Sequence, residues 1–230
     1  MKEVKKVAIL VAAGSGTRMG SNIPKQFHKL AGIPLAIHPG IQFRKFDSEI
    51  ELIYVIASGS AQIWENYLKE YFPEGGWRLC MGGKSRYESV RNGVRSIQHK
   101  HSLVAIHDGA RPFIDPSQIE KAFSLAFYKG NAVFSVPAKD SLRKITGGES
   151  SEFVDRSQYH YIQTPQIFWQ KDLQKIYEQE DDIRFTDDAT VMELSGYSIH
   201  LIEGSYKNIK ITTPEDWIIA ERFIESGAEI

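Results

Sequence analysis

The sequence is poor in cysteine, in long apolar runs and in net charge, and each shortage excludes something. One cysteine, Cys80, stands among 230 residues. No disulfide can form within the chain, which suits a reducing, cytoplasmic setting. Cys80 sits in Trp77-Arg78-Leu79-Cys80-Met81 with no Cys or His at metal spacing. Free cysteine behaves as a small hydrophobe, so a buried structural thiol is expected. The apolar run from Val7 to Ala13 ends at Gly14. It is too short for a signal peptide core with a cleavage site, or for a membrane span, and reads as a buried strand. Lys and Arg number 28 against 29 Asp and Glu, a formal net charge of −1. That gives no basic field for a nucleic acid, although a local basic cluster can still serve a small polyanion. There is no internal repeat and no low-complexity linker.

What is present is the balance of one globular domain spanning 1–230, with 42% hydrophobic and 25% charged residues, long enough to bury a sizeable core. Apolar runs at Val7–Ala12, Leu52–Ala57, Leu103–Ile106 and Ala132–Val136 alternate with amphipathic stretches at Ala61–Phe72, Tyr87–Ile97 and Gln118–Tyr128. Strands apolar on both faces and separated by helices predict a mostly parallel sheet covered on both sides, a three-layer α/β fold of the doubly wound kind. Pro39 interrupts the helical pattern from Leu35 to Phe46, so that helix is kinked or starts late. From Ser141 to Thr164 the rhythm changes. Gly147-Gly148 separates two strand-like stretches, which predicts a protruding β-arm that packs on a second subunit. Helices are expected around Lys171–Glu178 and Asp187–Leu194, then a strand pair near Ile199–Ile211. A terminal helix follows, with Pro214 in its first turn and Thr213 as its cap.

The chemistry concentrates in loops. Ala12-Ala13-Gly14-Ser15-Gly16-Thr17-Arg18-Met19-Gly20, followed by Pro24-Lys25-Gln26, ends the first strand. A glycine-rich turn lets backbone N–H groups cradle phosphate oxygens. It is not a dinucleotide fingerprint, because Met19 occupies the sixth position and Ala57-Ser58-Gly59 follows the second strand where an acidic residue is needed. It is not a P-loop either, since no Gly-Lys-Ser/Thr tripeptide ends this loop, and Gly83-Lys84-Ser85 farther along has Arg78 where the pattern needs its first glycine. Arg18 and Lys25 are placed to reach the same phosphates, against the plainer reading of a βα turn with solvated charges. Asp108, in Ile106-His107-Asp108-Gly109-Ala110-Arg111-Pro112, sits at the carboxyl end of a parallel strand, where open α/β sheets bind ligands. It is placed to hold Mg²⁺, which takes one or two carboxylates plus water and substrate phosphates; a helix-capping Asp is the alternative. His107 reads as a buried or orienting ring rather than a base. Gly82-Gly83-Lys84-Ser85-Arg86 and Ser89 read equally as a nucleotide contact or as a tight turn with a helix cap. Lys210 is expected in a strand between Ile209 and Ile211, and alternation alone does not decide which way it faces.

Together these segments resemble the 2-C-methyl-D-erythritol 4-phosphate cytidylyltransferases. The resemblance runs from Val7 to the final helix through AAGSGTRMG with PKQ, GGKSRYESV, HDGARP, VPAKDSL, VDR, QTPQIF, TDDA and NIKITTPED. It implies a Rossmann-like nucleotidyltransferase fold whose arm, residues 141–164, hooks around a partner in a homodimer. It implies CTP and a sugar-alcohol phosphate as substrates, with Ala12, Ala13, Gly14, Gly82 and Ser89 lining the CTP site. Arg18 and Lys25 would neutralise the transition state and Asp108 would bind Mg²⁺. Arg156 and Lys210 would position the substrate phosphate, and Arg111, Ser141 and Thr164 would contact the sugar phosphate, partly across the dimer. Three positions depart from the family's usual pattern: Gly109 for Ala, Ser141 for Thr, and Arg143 for Lys. The ribitol-5-phosphate cytidylyltransferases share the loop and PKQ. Val154-Asp155-Arg156 and Thr186-Asp187-Asp188-Ala189 favour the methylerythritol side.

Overall fold

The computed structural model describes residues 4–14, 24–178 and 185–227. Its frame is a seven-stranded sheet. In chain order, the elements of the first half are β1 (Lys5–Ala12), the short pair β2 (Lys29–Leu30) and β3 (Ile33–Pro34), α1 (His38–Phe46), β4 (Glu51–Ile56) and α2 (Ala61–Tyr71). They continue with β5 (Trp77–Met81), α3 (Arg86–Ser96), β6 (Ser102–Asp108), α4 (Pro116–Lys129) and β7 (Asn131–Pro137). The second half holds the hairpin β8 (Leu142–Gly147) and β9 (Ser150–Val154), then β10 (His160–Trp169), α5 (Gln170–Ile176), α6 (Asp188–Leu194), β11 (Leu201–Glu203) and α7 (Pro214–Glu225).

The sheet order is β11-β7-β10-β6-β1-β4-β5. β1 pairs in parallel with β4 and β6, β4 with β5, and β11 with β7, while β10 runs antiparallel to both its neighbours. The expected three-layer α/β fold with a mostly parallel sheet is what forms. Period-two alternation along β1 explains the two cores. Ala8, Leu10 and Ala12 pack on one face with Phe43, Trp64, Leu68 and Phe123 from α1, α2 and α4. Val7 and Ile9 pack on the other with Val90, Val94, Leu173 and Val191 from α3, α5 and α6. A small third core of Leu30, Leu35, Phe113, Ile211 and Ala220 ties β2, the 206–213 segment and α7 to the end of the sheet where β1 and β6 finish.

Local signals behave as their chemistry dictates. α1 starts late, with Pro39 in its first turn after a 3₁₀ turn over Leu35–Ile37. The Thr213 hydroxyl accepts from Asp216 N, and the Asp216 carboxylate accepts from Thr213 N, a reciprocal cap on α7. No helix among the described residues is long and apolar enough to cross a membrane.

Four expectations need correction. The β-arm is a hairpin with its turn at Gly147-Gly148, where φ is +139° and +52°, but it ends at Val154. His160–Trp169 is not arm but a central strand, because the segment from Gln163 to Phe168 is buried between β6 and β7. The strand pair near Ile199–Ile211 is reduced to the edge strand β11. Beyond it the backbone is spent on turns and on two ties, Gly204 N donating to Ser135 O and Ile211 N to Ala110 O, each at 2.9 Å, so Lys210 lies in a loop and not in a strand. Cys80 is half-buried rather than buried, because β5 is an edge strand.

Gly40 shows how tightly α1 sits on the sheet. A Cβ there would fall 2.9 Å from Phe72 Cζ and closer still to the Tyr54 hydroxyl, and Tyr54 is fully buried. Alanine in a helix gains about 1 kcal/mol over glycine, while overpacking a core costs about 1–3 kcal/mol. Gly40→Ala is therefore expected to lower stability by roughly 1 kcal/mol or more, read as a reduced urea midpoint at unchanged m-value. A raised midpoint would show that the Tyr54 ring yields freely.

Candidate active site

A cavity of about 590 Å³ opens at the carboxyl ends of β1 and β6, the place where open α/β sheets bind ligands. One wall is the turn after β1, with Ala12, Ala13 and Gly14. Another is the turn into α3, with Gly83, Lys84, Ser85, Arg86 and Ser89. Asp108 and Gly109 come from the end of β6, Lys25 and Gln26 from the 3₁₀ turn at 25–27, and Lys210 and Thr212 from the loop before α7.

The turn into α3 owes its shape to its own polar groups. Ser85 caps the helix by accepting from Glu88 N at 3.1 Å. The Ser89 hydroxyl accepts from Gly83 N at 3.0 Å and donates to Ser85 O at 2.8 Å. Gly82 has no room for a side chain, since a Cβ would meet Ala13 Cβ at 2.5 Å and Ser89 Oγ at 3.0 Å. The cap-and-turn reading of this segment thus holds, and the same turn forms a cavity wall.

The centre of the site is Asp108. Every residue of β6 is buried, and the Asp108 carboxylate is closed in by cations from three other places. Lys210 Nζ lies 3.0 Å from Oδ2, Arg111 Nε 3.5 Å from Oδ2, and Arg86 Nε 3.6 Å from Oδ1. Burial pushes the Asp108 carboxyl up, but Arg86, Lys210 and Arg111 outweigh it and hold the group well below the usual carboxylate range. Asp108 caps no helix side chain-to-backbone; Asp115 caps α4 instead.

His107 is fully buried and turns away from the cavity. Its Nε2 donates to Arg111 O at 3.0 Å, and its ring meets Phe43 edge-on at 5.7 Å. Burial lowers its pKa to about 4, so the ring is neutral near pH 7 and shapes the loop from 108 to 111, the orienting reading made from sequence.

The remaining predicted residues divide by place. Lys25 Nζ donates to Ile211 O at 2.5 Å, which brings the 24–35 segment and the 206–213 loop to one corner of the cavity. Thr164 is buried beneath Asp108, its hydroxyl accepting from Asp108 N at 3.0 Å. Arg111 is anchored from below, Nη1 donating to Asn208 O at 2.7 Å. Ser141 and Arg156 are exposed at the root of the arm, where Arg156 donates to Lys139 O, and neither lines the cavity of its own chain. Arg18 lies outside the described residues.

Sequence reasoning passed over two residues. Arg86 lies on the cavity wall and pairs with both Asp108 and Asp188. Its signal was present as the cation next to the Ser85 cap in a glycine-rich turn. Nothing in the sequence shows that Asp188, 102 positions away, is its partner.

Among the described residues no three His, Cys, Asp or Glu side chains form a metal cage. A divalent cation at Asp108 would have one protein carboxylate and would draw its other ligands from water and a bound polyphosphate, a set that fits Mg²⁺ and not Zn²⁺.

The sequence and the fold have counterparts. The family model described as 2-C-methyl-D-erythritol 4-phosphate cytidylyltransferase matches residues 6–226. A protein of that name from Bacteroides thetaiotaomicron is 38% identical over 213 residues, covering 93% of this chain and 96% of the relative. Another from Azobacteroides pseudotrichonymphae is 39% identical over 223 residues, covering 96% and 99%. The crystal structure of 4-diphosphocytidyl-2C-methyl-D-erythritol synthase from Anaerococcus prevotii superposes with a TM-score of 0.83 at 28% identity, over 96% of this chain and 99% of that one. The match covers the whole sheet, both helical layers and every wall of the cavity, and the chain belongs to the 2-C-methyl-D-erythritol 4-phosphate cytidylyltransferase family.

Proposed function

We propose that this chain transfers CMP from CTP to 2-C-methyl-D-erythritol 4-phosphate and releases pyrophosphate. The observation that carries the reading is the cavity of about 590 Å³ lined by Lys25, Lys210 and Arg86, the last two beside one buried carboxylate, in a chain of that family. A phosphate oxygen of the acceptor attacks the α-phosphorus of CTP. The α–β bridging bond breaks, and its electron pair leaves with pyrophosphate.

No general base is needed, because a phosphate monoester has its second pKa near ~6 and is already an anion at neutral pH. The obstacle is bringing a dianion onto a polyanion. Two like unit charges at ~4 Å repel by about 4 kcal/mol even at an effective dielectric of ~20. Positive charge fixed in place before the reaction answers this, by electrostatics and alignment and not by proton transfer. In this reading Ala12, Ala13 and Gly14 offer backbone to the nucleotide, together with Gly82 and Ser89. Arg18 and Lys25 meet the charge that develops at the α-phosphate. Lys210 exchanges Asp108 for a phosphate oxygen. Asp108 is the carboxylate that would hold Mg²⁺, which when bound screens the triphosphate. Arg111 and Thr164 support the acceptor side by holding Asp108 and the loop around it.

Ser141 and Arg156 serve a partner's site in this reading, for they stand exposed at the root of the arm and neither lines the cavity of its own chain. The arm carries exposed Ile145 and Phe153, 68% and 77% accessible, which a second subunit would cover in a homodimer. A cytoplasmic location belongs to the same reading, as does the absence of a nucleic-acid or membrane partner. Ribitol 5-phosphate as acceptor is the less favoured reading, on the strength of the Val154-Asp155-Arg156 and Thr186-Asp187-Asp188-Ala189 segments.

Pyrophosphate release with CTP and a panel of sugar-alcohol phosphates tests the substrate directly. Turnover with 2-C-methyl-D-erythritol 4-phosphate, and at least ~100-fold lower kcat/KM with ribitol 5-phosphate, is expected, a difference of about 2.7 kcal/mol. Activity confined to ribitol 5-phosphate would reverse the choice.

Co-expression tests the shared site. Arg156→Ala and Lys25→Ala subunits should each be inactive alone. Their heterodimer should regain part of the activity, because one of its two sites then contains both defects and the other neither. A purified heterodimer with no recovered activity would make the arm a clasp only, and Arg156 a residue of its own chain's site.

A further inference from the structure

Arg86 lies between two carboxylates and treats them unequally. Its terminal nitrogens form a fork on Asp188, at 3.1 Å to Oδ1 and 2.7 Å to Oδ2. Toward Asp108 it presents only Nε, at 3.6 Å from Oδ1. Asp188 has no solvent exposure, and its Oδ1 also accepts the hydroxyl of buried Tyr177. Asp188 opens α6, and the backbone there is fixed independently. Asp187 caps the helix through Thr190 N at 2.9 Å, and Ala189 N donates to Gln166 Oε1 at 2.7 Å. A buried carboxylate so positioned cannot release a bidentate arginine without being left as an unpaired buried charge. Lys210, whose side chain is 41% exposed, is under no such restraint. Of the three cations around Asp108, Lys210 is therefore free to follow a phosphate and Arg86 is locked.

We infer that Asp188 is a positioning residue for the transfer reaction: by holding the Arg86 guanidinium in its fork, it keeps Oδ1 of Asp108 open to a divalent cation. This rests on the reading of Asp108 as the metal-side carboxylate. Without the Asp188 charge, Arg86 would close on Asp108 as a two-point ion pair and compete with the cation for the same oxygens. The role is indirect, since Asp188 is fully buried and does not line the cavity.

Direct metal binding, not turnover, tests this. Mn²⁺ is titrated by electron paramagnetic resonance into the protein saturated with a non-hydrolysable CTP analogue, with unfolding temperature measured on every variant. Asp188→Asn is expected to raise the Mn²⁺ dissociation constant about tenfold, since an unpaired guanidinium near the site acts as a competing cation. Adding Arg86→Gln to Asp188→Asn replaces the ion pair by a neutral amide pair. It should return Mn²⁺ affinity to the wild-type value or tighter, although Asp188 is still absent. A merely structural Asp188 predicts no such recovery. If Asp188→Asn does not fold, the double variant still decides. Mn²⁺ binding tenfold weaker than wild type in a folded double variant would overturn the inference, as would unchanged affinity in a folded Asp188→Asn. Asp108→Asn separates the two levels. Loss of Mn²⁺ binding there, with no effect of Asp188→Asn, refutes the inference alone, whereas retained binding in Asp108→Asn refutes the metal reading beneath it.

Discussion

The Asp108 carboxylate lies at the end of a strand buried along its whole length, and a buried charge persists only where opposite charge meets it. In this fold the opposite charge comes from three separate segments: Arg86 at the start of α3, Arg111 three residues on, and Lys210 in the loop before α7. Thr164 from β10 fixes the backbone of the same residue. Each contact pulls a different part of the chain to the same end of the sheet. Two walls of the cavity, the turn into α3 and the loop before α7, are held there by this one carboxylate. Removing a single partner from such a group typically costs about 3–5 kcal/mol, so the electrostatics that shape the site also hold it together.

The same arrangement reconciles a near-neutral protein with a polyanionic substrate. A net charge of −1 gives no long-range attraction, yet the floor of the cavity concentrates cations that are already in place and already neutralised. In the proposed reaction a nucleotide phosphate would exchange with Asp108 for Lys210, and with Ile211 O for Lys25. Little reorganisation is then left for the chemical step, which is where preorganised charge has its effect. His107 beside them has its pKa lowered to about 4, stays neutral, and contributes a hydrogen bond to Arg111 O rather than a proton.

Much of this was legible in the sequence, because the signals were local. Apolar strands covered on both faces gave the sheet, Pro39 delayed its helix, and Thr213-Pro214 with Asp216 marked the start of α7. Asp108 was placed correctly because the end of a parallel strand is a fixed position in such folds. What was missed depended on partners remote in sequence. Lys210 sits between two isoleucines and so looked like a strand residue, but Ile211 N is used by Ala110 O and the segment never joins the sheet. The end of the expected arm, from His160 to Thr164, became the start of β10 because its pairing is decided by β6 and β7, not by its own alternation. The pairing of Arg86 with Asp188 leaves no mark within a dozen residues of either. Arg156 and Ser141 were placed by resemblance alone, and a single chain does not bring them to the cavity.

The central claim is that this chain promotes nucleotidyl transfer by fixed positive charge and not by acid–base chemistry. Lys25→Ala tests it most directly, through the single-turnover rate constant measured beside the CTP dissociation constant. The account predicts a rate constant at least ~100-fold lower, about 2.7 kcal/mol of lost transition-state stabilisation, with CTP affinity within ~3-fold of wild type. A near-normal rate constant with CTP affinity reduced ~100-fold would contradict it, making Lys25 a residue of uniform substrate binding that contributes nothing specific to the transition state.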